Sequence, residues 1–580
     1  MIKLKTKPAT VMPKPKKIKV SIALPPSANP IAKHLEPKPD WATIRNQAGD
    51  IIQLDDDQIK AVELAIKGES FALIGSAGTG KTTTVQAIIL ALLDAHANRI
   101  HQTEFRIKGE GKMVPGLSVG IVSFANRAAN NIRNKAQAHP DLAPIINYNC
   151  TTLHNMLEYT VEFYYDPETD KNKRRYFPQR DELNKLDLSH LIVEESSQIG
   201  VGDNSIWDQM QRALPEGCQV IFLGDVNQLP PVGGKPVLAY AMRDLPTIEL
   251  RTIHRQALEN PIIRQAQNCL SGNPVERDFI DDSGQGVRVF NPENARKSYK
   301  GTKLAAYQYR NALFALLRGQ IKAGQFDPFQ DVVLSPNVTQ KDNVVSTKDI
   351  NAEIAWIMAK RDNREVFEIL AGFNKVYVGV GDKVMVDKYE GIVTSIRSNA
   401  RYYGRVPKPS STGMDYHGII HHADDSWLEE DEASDFSNLD LDALTRESME
   451  DDAATRASSH VVEVKLDNDD IVTLSSAGDF GDTNFSLGYA ITVHKAQGSE
   501  WRNVMVALHD SAMMLLFREL LYTGMTRAVE RLDIVAQPHI LDKAIRKPRI
   551  KGDSMQDKIE FLNSGYLDLE IKLTPNEGEL

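Results

Sequence analysis

The chain of 580 residues is 42% apolar and 25% charged, which is typical of globular proteins and sufficient for three or four domains. No apolar run reaches the roughly 18–20 residues that cross a bilayer, no secretory signal is evident, and three scattered cysteines exclude a disulfide framework, so we expect a cytoplasmic protein without a membrane partner. The net charge is −10, but residues 424–452 alone carry −12, and the remaining +2 leaves room for a nucleic-acid-binding groove.

Residues 1–40 contain many lysines and prolines and almost no acids. Such a composition offers little apolar surface to bury, so it predicts a flexible basic tail. Three interpretations of the tail stay open: it contacts nucleic acid, it contacts a partner protein, or it is only solvated.

Residues 41–270 alternate between helical patterns and short apolar runs, which predicts a first α/β domain with a parallel, doubly wound sheet. The predicted strands lie in 71–75, 117–124, 188–195, 218–225 and 247–250, and the clearest helices in 54–68 and 81–96. Within this domain, residues 159–181 place aromatic runs on both sides of DPETDKNK, a turn signal. We predict a β-hairpin insertion over residues 155–187.

A second α/β domain is predicted from two pieces, residues 271–371 and 483–550. Its strand-length apolar runs lie in 331–337, 486–493, 504–509 and 532–537. Residues 372–482 alternate between apolar and polar side chains, which predicts a small inserted β subdomain. Its acidic segment, residues 424–452, is predicted to be a solvated or loosely folded loop, and residues 551–580 form a C-terminal extension.

A glycine-rich turn follows the first predicted strand and precedes a helix. It has the phosphate-loop pattern G-x-x-x-x-G-K-[ST], whose backbone N–H groups and helix N-terminus bind phosphate oxygens. Lys81 is expected to reach the β and γ phosphates, and Thr82 to bind Mg²⁺. The predicted ATP-binding residues of this turn are Gly75, Ser76, Ala77, Gly78, Thr79, Gly80, Lys81, Thr82 and Thr83.

Carboxylates follow a second buried strand, in LIVEES. Glu194 is predicted to hold Mg²⁺, and Glu195 to orient or deprotonate the attacking water. The next strand is followed by GDVNQLPPVG, in which Asp225 and Gln228 emerge at the same edge of the sheet, where open α/β sheets bind ligands. Gln228 is a candidate sensor of the γ-phosphate.

Nine motifs occur in a recognisable order: LDDDQIKAV, GSAGTGKTTT, SFANRAANNI, TTLHNML, VEESSQI, GDVNQLPPVG, TIHRQ, ITVHKAQGSEW and LLYTGMTRA. In this order they resemble superfamily 1 helicases, and specifically the RecD-like branch that includes the phage Dda helicase. The resemblance covers most of residues 50–540. One short motif would be weak evidence, whereas nine in the family's order are specific.

The resemblance implies two RecA-like domains of the P-loop NTPase fold, with ATP and Mg²⁺ between them, and an SH3-like character for the inserted β subdomain. Gln58 stands where the family has a glutamine that reads adenine. Arg255 and Arg527 resemble arginine fingers, the second supplied by the opposite domain. Gln497 and Gly498 are expected near the ATP side. The implied catalytic residues are therefore Lys81, Glu195, Gln228, Arg255 and Arg527.

The resemblance also implies a nucleic-acid track across both domains. The matching residues are Ser123, Phe124, Asn126, Thr152 and His154 in the first domain and Thr492, His494 and Lys495 in the second. Phe124 either stacks on a base or is a core aromatic residue. The predicted hairpin resembles a wedge that separates strands at a fork, although a decorative surface hairpin is the open alternative.

We therefore expect an ATP-dependent DNA helicase that moves 5′ to 3′, with a role in DNA replication, recombination or repair. Its expected partners are single-stranded DNA, a fork duplex, and a single-strand-binding, replication or recombination protein; a phage-encoded chain would act in the host cytoplasm. The alternatives are an RNA helicase, a translocase that remodels nucleoprotein complexes, and a hydrolysis-impaired assembly protein. Glu194 leaves room for the last, because the family usually has aspartate there.

Overall fold

The computed structural model describes most of the two predicted domains. The described residues are 43–45, 51–96, 119–123, 150–166, 171–202, 204–231, 235–279, 285–292, 303–338, 345–371, 374–387, 389–399, 457–467, 470–509, 512, 514–552 and 554–564. The predicted basic tail and acidic loop lie outside them. Among the described helices, none combines the length and the apolar character that crossing a membrane requires.

The N-terminal half of the chain is built around a parallel sheet. In chain order its elements are β1 (Thr43–Arg45), β2 (Ile51–Gln53), α1 (Asp56–Lys67), β3 (Phe71–Gly75), α2 (Lys81–His96), β4 (Val119–Ser123), β5 (Cys150–Thr152), α3 (Leu153–Met156), β6 (Thr160–Asp166), β7 (Lys171–Phe177), β8 (His190–Val193), β9 (Gly200–Val201), α4 (Ile206–Ala213), β10 (Gln219–Gly224), β11 (Lys235–Pro236), α5 (Val237–Asp244), β12 (Thr247–Leu250), α6 (Arg255–Glu259) and α7 (Pro261–Leu270).

The first sheet has six strands in the order β12-β3-β10-β8-β4-β5, and all neighbours are parallel. Strands β3, β4, β8 and β10 are fully buried because helices cover both faces. Helices α1 and α2 contribute to the core on one face, and α4 and α5 to the core on the other. The predicted doubly wound α/β sheet is confirmed.

Helix α1 begins with a capping box that also positions a predicted site residue. The Asp55 side chain accepts the backbone N–H of Gln58, and the Gln58 side chain accepts the backbone N–H of Asp55. The helix ends at Gly68, whose φ of 80° is the left-handed conformation that glycine adopts most readily. Gln58 is therefore fixed at the first turn of α1.

The C-terminal half contains a second parallel sheet and a smaller antiparallel one. Its elements are β13 (Asp278–Phe279), β14 (Gly286–Phe290), α8 (Lys303–Lys322), β15 (Val332–Ser335), α9 (Thr347–Asp362), β16 (Val366–Ala371), β17 (Asn374–Gly379), β18 (Lys383–Val386), β19 (Tyr389–Ser398), β20 (Ala457–Leu466), β21 (Ile471–Ser476), α10 (Ala477–Asp482), β22 (Ser486–Leu487), β23 (Ala490–Thr492), β24 (Trp501–Leu508), α11 (Arg518–Met525), β25 (Ala528–Ala536), α12 (Pro538–Arg546) and α13 (Met555–Ser564).

The second sheet has the order β13-β14-β25-β24-β15-β23, and only β13 runs antiparallel to its neighbour. Helices α8 and α9 contribute to the core on one face, and α7, α11 and α12 to the core on the other. Because Ile262, Ala266 and Cys269 of α7 belong to this second core, the chain joins the second domain before the boundary predicted at residue 270.

Residues 374–399 and 457–487 contribute five antiparallel strands in the order β21-β20-β19-β18-β22. The sequence predicted one strand over 486–493, and this is wrong, because the run divides into β22 of this sheet and β23 of the parallel sheet. The side chain of Asn351 binds the chain where it passes from β22 to β23. Its amide donates to the carbonyls of Leu487 and Ala490 and accepts the N–H of Ala490.

Strands β6 and β7 pair antiparallel from Thr160–Phe177 to Asp166–Lys171, so a two-stranded hairpin occupies the position predicted for the insertion. The last described helix, α13, follows the second domain in the chain but packs on α5 of the first. Its Ile559 and Leu562 contact the apolar cluster around α4 and α5. The described part of the C-terminal extension therefore returns to the first domain.

Candidate active site at the domain interface

The phosphate loop joins β3 to α2 in a tight turn. Gly78 and Gly80 have φ angles of 86° and 81°, which other residues adopt only with strain. Gly75 lies so close to its neighbours that an added Cβ would be 2.4 Å from Thr79 Oγ1. The Lys81 ammonium donates to the carbonyl of Gly75 at 2.6 Å and to that of Ser76 at 3.3 Å. The Lys81 side chain is therefore folded back over the phosphate loop, whose bound phosphates it is predicted to contact.

Acidic side chains follow β8 at the same edge of the sheet. Strands β3, β10 and β8 are parallel neighbours, so the residues after Gly75, Gly224 and Val193 emerge on one side. Glu194 is buried, with 8% of its surface exposed. Glu195 has a φ of 51°, and its carboxylate accepts a hydrogen bond from Gln198 Nε2 at 3.1 Å. A left-handed glutamate is an uncommon, strained conformation that functional sites often contain.

The segment after β10 is held in a turn by its own first residue. Asp225 Oδ1 accepts the backbone N–H of Asn227 at 2.9 Å and the Asn227 side-chain amide at 3.1 Å. Gln228 follows and is 5% exposed; its Oε1 has no hydrogen-bond partner among the described residues. A buried amide oxygen in that condition fits a site that a polar ligand completes.

Second-domain residues bind this segment and the phosphate loop directly. The Tyr522 hydroxyl of α11 accepts the backbone N–H of Ala77 at 2.8 Å and donates to Asp225 Oδ2 at 2.7 Å. Burial raises the pKa of Tyr522 well above its usual value, so the hydroxyl stays protonated and can donate. One phenol therefore joins α11, the phosphate loop and Asp225.

Leu229, next to Gln228, has both backbone groups bonded to the second domain. Its N–H donates to Thr523 Oγ1 at 3.0 Å, and its carbonyl accepts from Gln497 Nε2 at 2.5 Å. Thr523 follows Tyr522 on α11, and Gln497 belongs to the turn after β23. These two bonds attach α11 and the turn after β23 to the 225–229 segment.

The turn after β23 contains the other predicted residues of ITVHKAQGSEW. Thr492 Oγ1 accepts the N–H of Lys495 at 3.2 Å, and Gly498 has a left-handed φ of 72°. The Lys495 side chain is exposed. Burial, with a smaller effect of the Arg549 charge, lowers the pKa of His494, so its imidazole is mainly neutral at pH 7. A phosphate contact by His494 would then be an N–H hydrogen bond rather than an ion pair.

Two polar residues lie at the far edge of the first sheet. Ser123 and Thr152 end the paired strands β4 and β5 and are opposite each other in the register. Ser123 is fully buried, and its Oγ has no partner in the described part of the chain. Thr152 caps α3 by accepting the N–H of Asn155, and the His154 ring packs edge-on against Tyr159. Phe124 and Asn126 lie outside the described residues.

Gln58 is placed directly beside the phosphate loop. An added Cβ on Gly80 would lie 2.6 Å from Gln58 Nε2, and Gln58 is fully buried. His254 also lies beside Gln58 and the phosphate loop. Its Nε2 is 3.3 Å from Gln58 Nε2, and its backbone N–H donates to the Gly78 carbonyl. The sequence prediction missed His254, although it lies within the quoted motif TIHRQ.

Two families match the chain, one in each domain. Residues 58–234 match a family described as an AAA domain, and residues 487–535 match the UvrD-like helicase C-terminal domain. Over 493 residues, 85% of this chain, the sequence is 25% identical to a Deinococcus radiodurans protein named ATP-dependent RecD2 DNA helicase. Together these matches support a superfamily 1 helicase of the RecD-like branch. The predicted recognition is confirmed at that level.

Other relatives of this RecD-like chain differ in length. It is 22% identical over 520 residues to the RecBCD enzyme subunit RecD of Buchnera aphidicola, covering 84% of this chain and 73% of that one. It spans half the length, 50%, of the Deinococcus protein. A solved structure of the Pif1 helicase from Candida albicans has a TM-score of 0.35 at 16% identity, and the match covers 84% of this chain and 97% of that one. A structure of the Pif1 helicase from Bacteroides has a TM-score of 0.36 at 15% identity, and the match covers 83% of this chain and 92% of that one.

Of the two arginines predicted as fingers, the structure describes the side chain of Arg527 but not that of Arg255. Arg527 is 4% exposed, and its guanidinium donates to the carbonyls of Thr523 and Ser499 and to Thr526 Oγ1, all within the second domain. The structure therefore does not bring Arg527 into hydrogen-bond contact with the phosphate loop. Arg255 begins α6, one residue after His254, and its side chain lies outside the described part.

Proposed function

We propose that this RecD-like chain is an ATP-dependent DNA helicase that moves 5′ to 3′ along single-stranded DNA. One observation supports it above the others: second-domain Tyr522, Thr523 and Gln497 are bonded to the phosphate loop and the 225–229 segment of the first domain. Such contacts suit a motor in which nucleotide binding and domain movement are coupled. The Deinococcus relative, which is named as a DNA helicase, supports DNA as the track.

The nucleotide side of the proposal assigns each residue a physical task. The loop from Gly75 to Gly80 and the start of α2 offer N–H groups to phosphates, and Lys81 exchanges its bonds to loop carbonyls for the phosphate oxygens. Thr82 and Glu194 are hard oxygen donors that would hold Mg²⁺. Bound there, the ion would neutralise charge on the phosphates. Gln58 stands where the helicase family has a glutamine that reads adenine, and it lies beside the phosphate loop; both facts support ATP as the nucleotide.

Hydrolysis is assigned to residues on both sides of the interface. Glu195 orients and deprotonates the attacking water, and Gln228 contacts the transferring phosphoryl group. Arg527 would complete the site as a finger after leaving its carbonyl partners Thr523 and Ser499. Because that exchange requires rearrangement of the second domain, hydrolysis would depend on domain closure.

The strand side of the proposal places the nucleic acid along both domains. The proposed contacts are Ser123, Thr152 and His154 in the first domain and Thr492, His494 and Lys495 in the second. The exposed Lys495 can bind backbone phosphates directly, whereas the buried Ser123, Thr152 and Thr492 would first have to become accessible. Hydrogen bonds to phosphate hold a strand without reading its sequence, as a translocase requires. The β6–β7 hairpin would act at the fork, and a single-strand-binding, replication or recombination protein would be the protein partner.

The proposal is tested by measuring ATP hydrolysis by the purified chain with and without single-stranded DNA or RNA of equal length. Duplexes with a 5′ or a 3′ tail then test unwinding. The proposal predicts DNA-stimulated hydrolysis and unwinding from the 5′ tail. Stimulation by RNA alone would indicate an RNA helicase, stimulation without unwinding a remodelling translocase, and hydrolysis indifferent to any strand would refute the motor.

Tyr522→Phe is expected to reduce the stimulation of hydrolysis by DNA about fivefold to tenfold, the effect of one lost hydrogen bond on a rate. Phenylalanine keeps the ring packing but removes the hydroxyl that joins Ala77 to Asp225. The matched control is Tyr309→Phe, which removes another buried hydroxyl, bonded to the Val535 carbonyl inside the second domain. Equal losses in both variants would mean that only stability had changed.

A further inference from the structure

The described part of the C-terminal extension and the two residues before it connect both domains next to the candidate active site. On the second domain, the backbone N–H groups of Arg549 and Ile550 donate to the Glu519 carboxylate at 2.9–3.1 Å. On the first, Ile559 and Leu562 of α13 pack against the apolar cluster that α4 and α5 share. Helix α13 is therefore held in place by contacts other than those of its polar residues.

Lys558 lies on α13 where the helix faces the segment after β10. Its ammonium donates to Asn227 Oδ1 at 2.6 Å. The side chain is half-buried, and this burial lowers the pKa of Lys558, while Asp225 and Glu519 act in the opposite direction. Placing a lysine there costs desolvation free energy that an apolar residue would avoid, so packing alone gives no reason for the ammonium.

A continuous series of hydrogen bonds leads from this ammonium to the phosphate loop. Asn227 Nδ2 donates to Asp225 Oδ1 at 3.1 Å, Tyr522 donates to Asp225 Oδ2 at 2.7 Å, and Ala77 donates to the Tyr522 hydroxyl at 2.8 Å. We call these four residues together with Lys558 the Lys558 chain. It crosses α13, the 225–229 segment, α11 and the phosphate loop.

The ammonium and the Asp225 carboxylate favour the same orientation of the Asn227 amide. An amide presents an acceptor at Oδ1 and donors at Nδ2, and only one orientation satisfies a lysine on one side and a carboxylate on the other. The reverse orientation would place N–H groups against the ammonium and the carbonyl against Asp225. Without Lys558, only the Asp225 carboxylate would select between the two orientations, and the amide would be held less firmly in the one that donates to Asp225.

We propose that Lys558 is a positioning residue of the nucleotide site, which fixes Asn227 and Asp225 and thereby the placement of the adjoining Gln228. The inference rests on the proposed ATPase function and extends it to the C-terminal helix. Lys558 does not contact nucleotide; it acts through the Lys558 chain. Helix α13 of the C-terminal extension thus contributes to the site of ATP hydrolysis.

The test compares Lys558→Met and Lys558→Arg in the full chain. Methionine keeps an unbranched apolar stem but removes the donor, so we expect kcat for DNA-stimulated ATP hydrolysis to fall about fivefold to tenfold, with KM for ATP changing less than about twofold. Arginine restores a charged donor and should recover most of kcat. The control, Lys551→Met, removes an exposed lysine of the same extension and should match the wild type.

A double-mutant cycle separates positioning from packing. Because Lys558 acts through Asn227, Lys558→Met should add little to the loss of kcat caused by Asn227→Ala. Additive losses, a rise in KM that accounts for the loss, or a melting temperature lowered equally by methionine and arginine would overturn the inference. Wild-type kcat in Lys558→Met would overturn it while leaving the proposed function intact, because that function is judged on the wild-type chain by its response to DNA.

Discussion

Lys81→Ala is expected to lower the rate of DNA-stimulated ATP hydrolysis by about 10²–10³-fold, the typical effect of removing one preorganised group that stabilises transition-state charge. Lys81 begins α2 and reaches back over the loop to the carbonyls of Gly75 and Ser76, within the space where phosphates would lie. Alanine keeps the helix, because it has the highest helix propensity, but offers no cation. Steady-state hydrolysis at saturating DNA measures the effect.

The control for this prediction is Lys67→Ala, at the exposed end of α1 in the same domain. It removes the same charge from the protein without touching the phosphate loop, and it should hydrolyse ATP at the wild-type rate. Thermal melting of both variants establishes that they fold. Hydrolysis by folded Lys81→Ala at more than about a tenth of the wild-type rate would contradict the proposed nucleotide site.

Local sequence predicted the parts of this site that depend on neighbouring residues. The strands at 71–75 and 247–250 and the helix at 81–96 are found as predicted, because apolar runs and a phosphate-loop pattern are contained within a few consecutive residues. Parallel order then brings the residues after β3, β8 and β10 to one edge. That the acids and Gln228 lie there follows from topology that the alternating pattern already implied.

Contacts between distant residues could not be read in the same way. The bond from Tyr522 to Ala77 joins residues 445 positions apart, and the bond from Lys558 to Asn227 joins residues 331 apart. Neither residue type is diagnostic: a tyrosine inside LLYTGMTRA fits a core, and a lysine on a surface helix fits solvent. The division of 486–493 into two strands likewise depends on Asn351, which is distant in sequence.

Arg527 shows a further limit of sequence reasoning. The motif GMTRA identifies the residue, but not the state in which it would act. In the structure its guanidinium is satisfied by second-domain groups, including the Thr523 carbonyl. Thr523 also accepts the N–H of Leu229, so the helix turn that holds Arg527 inward is the one attached to the 225–229 segment. Release of the arginine and displacement of that segment would therefore be coupled movements.

Glu195→Gln is expected to reduce DNA-stimulated ATP hydrolysis by about 10²–10⁴-fold, the usual contribution of a general base, while ATP binding is retained. Glutamine has nearly the same shape, and its carbonyl can still accept the hydrogen bond from Gln198 Nε2, so the left-handed backbone at residue 195 should persist. What it loses is the ability to take a proton from water. ATP affinity, measured with a fluorescent analogue, should stay within about twofold, because the phosphate loop and Lys81 are unchanged.

Glu69→Gln, which alters an exposed glutamate of the same domain, is the matched control and should be fully active. If Glu195→Gln turned over at the wild-type rate while Glu194→Gln did not, the base would be Glu194 and the assignments of the two carboxylates would be reversed.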